Sequence, residues 1–248
     1  MLRKLIPGTS SRLTIVDHEE TYGRHLLSEI CVDNISTCLD IGCGHGNDLM
    51  RIKERFPSCK LIGIDYGGWN KSHLNEIGIE QVSLDIEKDL FPFDDESIDF
   101  IIANQVLEHT KEIYFINNEI FRVLKTGGVL FLGVPNVLSL HNRILGLFGI
   151  HPTCSKMISA HVRSFSKNDT LLFYNSIAGE CLRVEKYMGS QFYPFPKIIA
   201  RPLSRLLPTM AFSNFYLIRK FNVYNGEFIK WISNTFLETN YYKGPNAQ

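Results

Sequence analysis

The sequence has no CxxC pair and no cysteine–histidine cluster at zinc-site spacing. Its six cysteines, Cys31, Cys38, Cys43, Cys59, Cys154 and Cys181, are scattered and read as reduced residues of a core or a site wall. A long hydrophobic run is also missing. The most apolar region, residues 129–150, is broken by Pro135, Asn136, His141, Asn142 and Arg143, short of the roughly 18 uninterrupted apolar residues a spanning helix requires. Residues 1–12 are basic, but Pro7 and Gly8 interrupt them before a signal-peptide core can form. Charge of one sign is lacking too: 26 Lys and Arg balance 26 Asp and Glu, so the chain has no overall basic excess of the kind that drives nucleic-acid binding. These absences predict a soluble, cytoplasmic protein that does not bind nucleic acid.

What remains, 248 residues with 44% hydrophobic and 21% charged side chains, suits a single α/β domain. Apolar runs at 37–41, 60–65, 80–85, 98–103 and 129–134 predict five strands, with further strands at 181–188 and 212–218. Between them, Leu49, Ile52 and Phe56 share one helical face, and Ile113, Ile116, Ile120 and Val123 another. Strands alternating with amphipathic helices predict a parallel sheet with helices on both faces. Lys125-Thr126-Gly127-Gly128 stops the second helix. Ser166 with Asp169 reads as the capping box of a helix running to about Ile177. The expected organisation is one domain over 1–248. Its core is residues 20–190 plus 211–220, with an inserted cap at 191–210 and a C-terminal helix and tail at 221–248, where Phe228, Ile232 and Phe236 or Leu237 mark the helix.

The most informative segment is Leu39-Asp40-Ile41-Gly42-Cys43-Gly44-His45-Gly46-Asn47, a strand running through alternating glycines into a helix. Residues without Cβ let a ligand approach the backbone, and the free N–H groups of the helix start suit an anion. Asn47 replaces the third glycine of the G-x-G-x-x-G dinucleotide fingerprint, which disfavours NAD and a nicotinamide-dependent oxidoreductase. Asp65, at the end of the second strand, is placed to accept hydrogen bonds from ribose hydroxyls, and Tyr66 beside it to pack on an adenine face. Asp85 closes the third strand with Ile86 next to it, both within reach of the adenine edge. The plain alternative is a tight turn with two helix-capping aspartates.

Leu39 to Asn47, Ile64-Asp65-Tyr66, Leu84-Asp85, Phe91-Pro92-Phe93, the run Ser97-Ile98-Asp99-Phe100-Ile101-Ile102-Ala103-Asn104-Gln105-Val106-Leu107-Glu108-His109, Arg122-Val123-Leu124-Lys125-Thr126-Gly127-Gly128 and Val134-Pro135-Asn136 together resemble the class I S-adenosylmethionine-dependent methyltransferases, in a type 11/23-like branch. The resemblance covers residues 20 to 190. It implies a doubly wound, Rossmann-like seven-stranded sheet whose last strand is antiparallel, with a small C-terminal cap or extension. It implies S-adenosyl-L-methionine as cofactor, with Asp40, Gly42, Gly44 and Gly46 at its methionine end, Asp65 at its ribose, Asp85 at its adenine and Asn104 beneath its sulfonium, and with Cys43, Tyr66, Ile86 and Gln105 as further cofactor-binding candidates.

Methyl transfer is an in-line displacement that needs a base only for a poorly nucleophilic hydroxyl. His109 and His161 are the candidate bases, each balanced against a role in positioning a loop, and Glu108 stands beside the first. Quinone-ring O-methyltransferases carry an acidic residue three positions before the Glu-His pair and are associated with a metal; Gln105 stands there in this chain, which predicts no obligate metal. Arg143 and Arg163 are candidates to hold an anionic acceptor or to lie on the surface, and Arg24 to reach the cofactor carboxylate or face solvent. In the stretch 193–210, Lys197, Arg201 and Arg205 recur every four residues among apolar neighbours. It reads as a cap whose apolar face meets the core and whose helix Pro202 cuts short, or as a peripheral membrane contact. The expected function is methyl transfer, by O-methylation, to a small-molecule, sugar, glycan or lipid-linked acceptor. The alternative is a non-catalytic S-adenosylmethionine-binding or regulatory protein of the same fold. The oligomeric state is left open.

Overall fold

The computed structural model describes residues 18–245, so the basic stretch 1–12 lies outside the described residues. Seven strands form one sheet in the order β3-β2-β1-β4-β5-β7-β6. In chain order they are β1 (Thr37–Ile41), β2 (Lys60–Asp65), β3 (Glu80–Ser83), β4 (Ile98–Asn104), β5 (Leu124–Pro135), β6 (Leu182–Ser190) and β7 (Ser213–Lys220). β1 pairs in parallel with both β2 and β4, β2 with β3 and β4 with β5, while β7 runs antiparallel to β5 and β6. This is the doubly wound sheet with a reversed last strand that the sequence predicts. β1, ending in the glycine segment, is central, where a doubly wound sheet opens its ligand crevice.

The helices are α1 (His18–Thr21), α2 (Arg24–Leu27), α3 (Asn47–Arg55), α4 (Lys71–Glu76), α5 (Ile113–Val123), α6 (Leu140–Leu147), α7 (Lys167–Ala178), α8 (Lys197–Leu206) and α9 (Glu227–Asn234). Strand alternation distributes the core between the two faces of the sheet. Leu39, Ile41, Ile101, Ala103, Leu130 and Leu132 pack with Ile116 and Ile120 of α5, Tyr174 of α7 and Phe228 of α9. Cys38, Phe100, Ile102, Val129 and Phe131 point the other way, onto Leu26 of α2, Leu49 and Ile52 of α3 and Leu74 of α4. Both faces are covered, which is why β4 and β5 read as unbroken apolar runs rather than alternating ones. Ser166 caps α7 as predicted, its side chain accepting from the Asp169 backbone N–H.

Several elements depart from the sequence reading. β3 ends at Ser83, so Asp85 sits in the turn that follows rather than at a strand end. α9 stops at Asn234 and leaves Phe236 almost fully exposed. α8 continues through Pro202: one helical hydrogen bond is lost there, yet the helix is anchored by ion pairs. Its orientation also reverses the expected cap. Arg201 reaches the buried Glu20 at 2.6 Å and Arg205 reaches Glu29 at 2.6 Å, so the basic side faces the protein. Ile198 and Leu206 turn outward, 82% and 75% exposed. Pairing with acids of the N-terminal helices decided the rotation of this helix, and an apolar pattern alone does not carry that information.

Candidate functional site

The loop after β1 is tied to the end of β2. Gly42 and Cys43 donate their backbone N–H groups to Ile64 O at 2.8 and 3.0 Å, Gly44 N donates to Asp65 Oδ2 at 2.9 Å, and Asn70 Nδ2 donates to Gly44 O at 3.0 Å. A Cβ on Gly42 would lie 2.5 Å from Val106 Cγ2, so a side chain there is excluded by packing. Gly44 differs: its φ of +50° favours glycine, and a Cβ would meet nothing within 4 Å. The space beside Gly44 is open to a ligand.

Two clefts meet at Gly42. The first, about 340 Å³, is lined by Tyr22, Arg24, Asp40, Asp48, Asn104 and residues of the glycine loop. Its acids are buried. Burial pushes the Asp40 carboxyl well above its usual range, and the neighbouring Asp48 adds to the effect. Asp48 is raised by burial in the same way, although Arg24 opposes the shift. Arg24 Nε donates to Asp48 Oδ1 at 2.8 Å, and Asn104 Nδ2 donates both to Asp48 Oδ2 and to Tyr22 O at 2.8 Å. Two buried carboxylates facing one guanidinium leave a deficit of positive charge that a ligand ammonium would fill. The N–H groups at the start of α3 suit a ligand carboxylate.

The second cleft, about 360 Å³, is lined by Asp65, Tyr66, Leu84, Asp85, Ile86, Glu87, Gln105, Val106, His109 and Thr110. Leu84, Ile86 and Val106 supply apolar walls for a flat ring. Asp65 keeps one carboxylate oxygen outside its bond to Gly44. Asp85 is drawn into its own turn, accepting from Lys88 Nζ at 2.7 Å and Glu87 N at 3.0 Å. The Lys88 bond holds its carboxyl below the usual range. Tyr66 is largely exposed. At the junction of the clefts, Asn104 Oδ1 and Gln105 Nε2 are buried without a hydrogen-bond partner. Gln105 is held in the left-handed region, φ +57°, with its N–H donated to Gly133 O at 2.8 Å. Orphaned polar atoms at such a point mark a place where a ligand completes the hydrogen bonding.

The rim of the second cleft carries the titratable cluster. Val162 N and Arg163 N both donate to Glu108 O, bringing His161 from the β5–α7 connection onto the single 3₁₀ turn Leu107–His109. The His109 and His161 rings lie 4.7 Å apart, edge to face. His161 Nδ1 lies 2.9 Å from Cys154 O and His109 Nδ1 lies 3.3 Å from Ala160 O. A carbonyl only accepts, so each Nδ1 carries its hydrogen and each Nε2 presents a lone pair. Burial lowers the His161 pKa, keeping the ring neutral near pH 7. Glu108 is buried, with Oε2 unpartnered, and burial pushes its carboxyl up to about 8. One donor atom from each of the three residues lies within 4.8 Å of the others, a group that could also hold a cation.

Some sequence candidates are placed elsewhere. The Arg163 guanidinium is spent on Thr110 O and Lys111 O and that of Arg143 on Leu138 O, so both hold loops rather than reach the cluster. Asp48 and Tyr22 line the first cleft without having been legible in the sequence as site residues. Asp48 stands one residue beyond the matched motif, in the first turn of α3, where an acid reads as an ordinary dipole partner. A larger cavity of about 560 Å³ lies between α5, α7 and α9, near Tyr114, Phe173 and Trp231. No residue of the glycine loop lines it, nor does Asp40 or Asp48.

The sheet order, the reversed β7 and the glycine loop at the end of β1 define the class I methyltransferase fold. Residues 39–132 match the family model of the methyltransferase domain. This stretch is similar to the methyltransferase domains of the type 11 branch, whose members take their methyl group from S-adenosylmethionine. The chain is similar to sterol 24-C-methyltransferase of Schizosaccharomyces pombe, 34% identical over 38% of this chain and 26% of the relative. It is similar to trans-aconitate 2-methyltransferase of Azoarcus sp., 28% identical over 50% of this chain and 48% of the relative. The matched regions thus span less than half of either relative. Among solved structures, a SAM-dependent methyltransferase from Archaeoglobus fulgidus superimposes with a TM-score of 0.55 at 19% identity, covering 82% of this chain and 97% of that one.

Proposed function

We propose that the protein is an S-adenosylmethionine-dependent methyltransferase that methylates an oxygen of a small-molecule, sugar or lipid-linked acceptor. The observation that carries this reading is the pair of clefts joined at Gly42, with orphaned polar atoms at the junction and the His109–His161 pair on the rim. Arg24, Asp40 and Asp48 would hold the amino-acid end of the cofactor, Asp65 the ribose, and Leu84, Ile86 and Val106 the adenine. The cofactor supplies a methyl group on a positively charged sulfur, open to in-line displacement. His161 Nε2 would take the proton of the acceptor hydroxyl as that oxygen takes up the methyl group. The acceptor enters from the side where the β5–α7 and β6–β7 connections leave the sheet.

The test is isothermal titration with S-adenosylhomocysteine, S-adenosylmethionine and NAD in parallel, followed by transfer of a radiolabelled methyl group to sugar and lipid acceptors. Micromolar binding of the first two without NAD supports the reading. Binding without transfer to any acceptor favours the non-catalytic alternative. NAD binding alone sinks both.

A further inference from the structure

The two connections on the acceptor side share a composition that the cofactor site does not explain. Not one of the 26 acidic residues falls between 120 and 168 or between 186 and 226, although the chain as a whole is neutral. The same two stretches hold most of the large apolar side chains exposed among the described residues. Leu147, Phe148, Met157 and Ile158 in the first are 84%, 75%, 101% and 93% exposed, and Ile198 and Leu206 in the second are 82% and 75%. The stretches are neighbours. His141 of α6 stacks on Phe212 at 5.3 Å and meets Tyr193 at 5.1 Å, and Asn136 Nδ2 donates to Thr209 O and Ala211 O. Arg143 and Lys156 are exposed on the first stretch and form no carboxylate ion pair among the described residues, whereas the basic side of α8 lies against Glu20 and Glu29.

We propose that the face formed by residues 138–162, with no acid in the sequence from 120 to 168, docks on an anionic lipid surface. An apolar patch alone fits many partners. An apolar patch whose unpaired charges are all positive, with every acid excluded from the sequence around it, matches a bilayer with negative headgroups. No helix among the described residues is long and apolar enough to cross a membrane, so the contact is interfacial. His161 lies within the first stretch, so docking brings the rim of the second cleft to headgroup depth, where a lipid-linked hydroxyl resides. The proposal rests on the methyltransferase reading only for that last step.

The experiment is flotation of the full chain with vesicles of phosphatidylcholine alone and with about one-third phosphatidylglycerol. The expected result is binding to the anionic vesicles that weakens in high salt. Lys156→Gln is expected to weaken it by about fivefold. Phe148→Ser with Met157→Ser and Ile158→Ser is expected to abolish it. All of these side chains are exposed, and unchanged affinity for S-adenosylhomocysteine shows that each variant is folded. No binding to anionic vesicles overturns the proposal, as does binding indifferent to the serine variant. A dimer in sedimentation that the serine variant dissociates also overturns it, since a second copy would then cover the face. Failure of the wild type to bind S-adenosylhomocysteine, with vesicle binding intact, would instead remove the proposed function and leave the surface.

Discussion

Replacing Asp65 tests the cofactor placement most directly, because one carboxylate is asked to do two things. Its Oδ2 accepts the Gly44 N–H at 2.9 Å, fixing the loop, while its remaining acceptor positions face the second cleft. A hydrogen bond to a charged acceptor contributes about 1.5–3 kcal/mol, so losing a single ribose bond corresponds to a factor of roughly 10 to 150. Asp65→Ala removes that bond and also strands Gly44 N, so affinity for S-adenosylhomocysteine should fall at least about tenfold. Asp65→Asn retains a neutral acceptor for the loop and should bind with intermediate affinity. Titration calorimetry on the three proteins, with urea unfolding alongside, separates the two roles. The stability cost of Asp65→Ala is expected to be about 1 kcal/mol, too small to explain the lost binding by unfolding. Equal affinity in Asp65→Ala and wild type would refute the ribose placement.

Three further outcomes follow from the same geometry. His161→Ala should leave S-adenosylhomocysteine affinity unchanged and lower kcat by about a hundredfold or more; equal losses in binding and turnover would mean that the residue only shapes the cleft. Glu108, raised from 4.5 to about 8 by burial, binds its proton more tightly folded than unfolded. Its contribution is therefore fully present below pH 4.5 and is lost as pH rises through about 8; denaturant unfolding across that window should show a falling stability that Glu108→Gln flattens. Phe228 is fully buried among Phe121, Phe173 and Tyr174, with ring centroids 5.4–6.0 Å away; Phe228→Ala should cost about 3–5 kcal/mol in urea unfolding, and a cost below about 1 kcal/mol would contradict the packing described for that layer.

The glycine loop and Asp65, which line the two clefts, were legible because they are local in sequence. A strand, a glycine turn and a helix start are consecutive in sequence, and Asp65 follows at the spacing set by one crossover. The fold was legible for the same reason, since doubly covered strands announce themselves as apolar runs. Where the sequence misled, tertiary partners made the decision. Glu20 and Glu29 rotate α8 so that Ile198 and Leu206 face outward, against the expectation of an apolar underside. Asp85 lies in the turn after β3 because β3 pairs with β2 only as far as Ser83. The meeting of His109 and His161 had no sequence signal: 51 positions separate His109 from Ala160, whose carbonyl orients it, and only the loop's attachment to the Glu108 backbone closes that distance.

The reversal of β7 has a consequence for how such a protein can be altered. Because β6 and β7 are antiparallel neighbours, their connection begins at Ser190 and ends at Ser213, two residues paired directly across the ladder. Its endpoints are therefore fixed by the sheet, whatever lies between them. The closure cost of such a segment grows only slowly with its length. Residues 191–212 thus form an exchangeable module, and grafting a different connection between the same two serines should change what the catalytic rim meets while leaving the architecture beneath it in place.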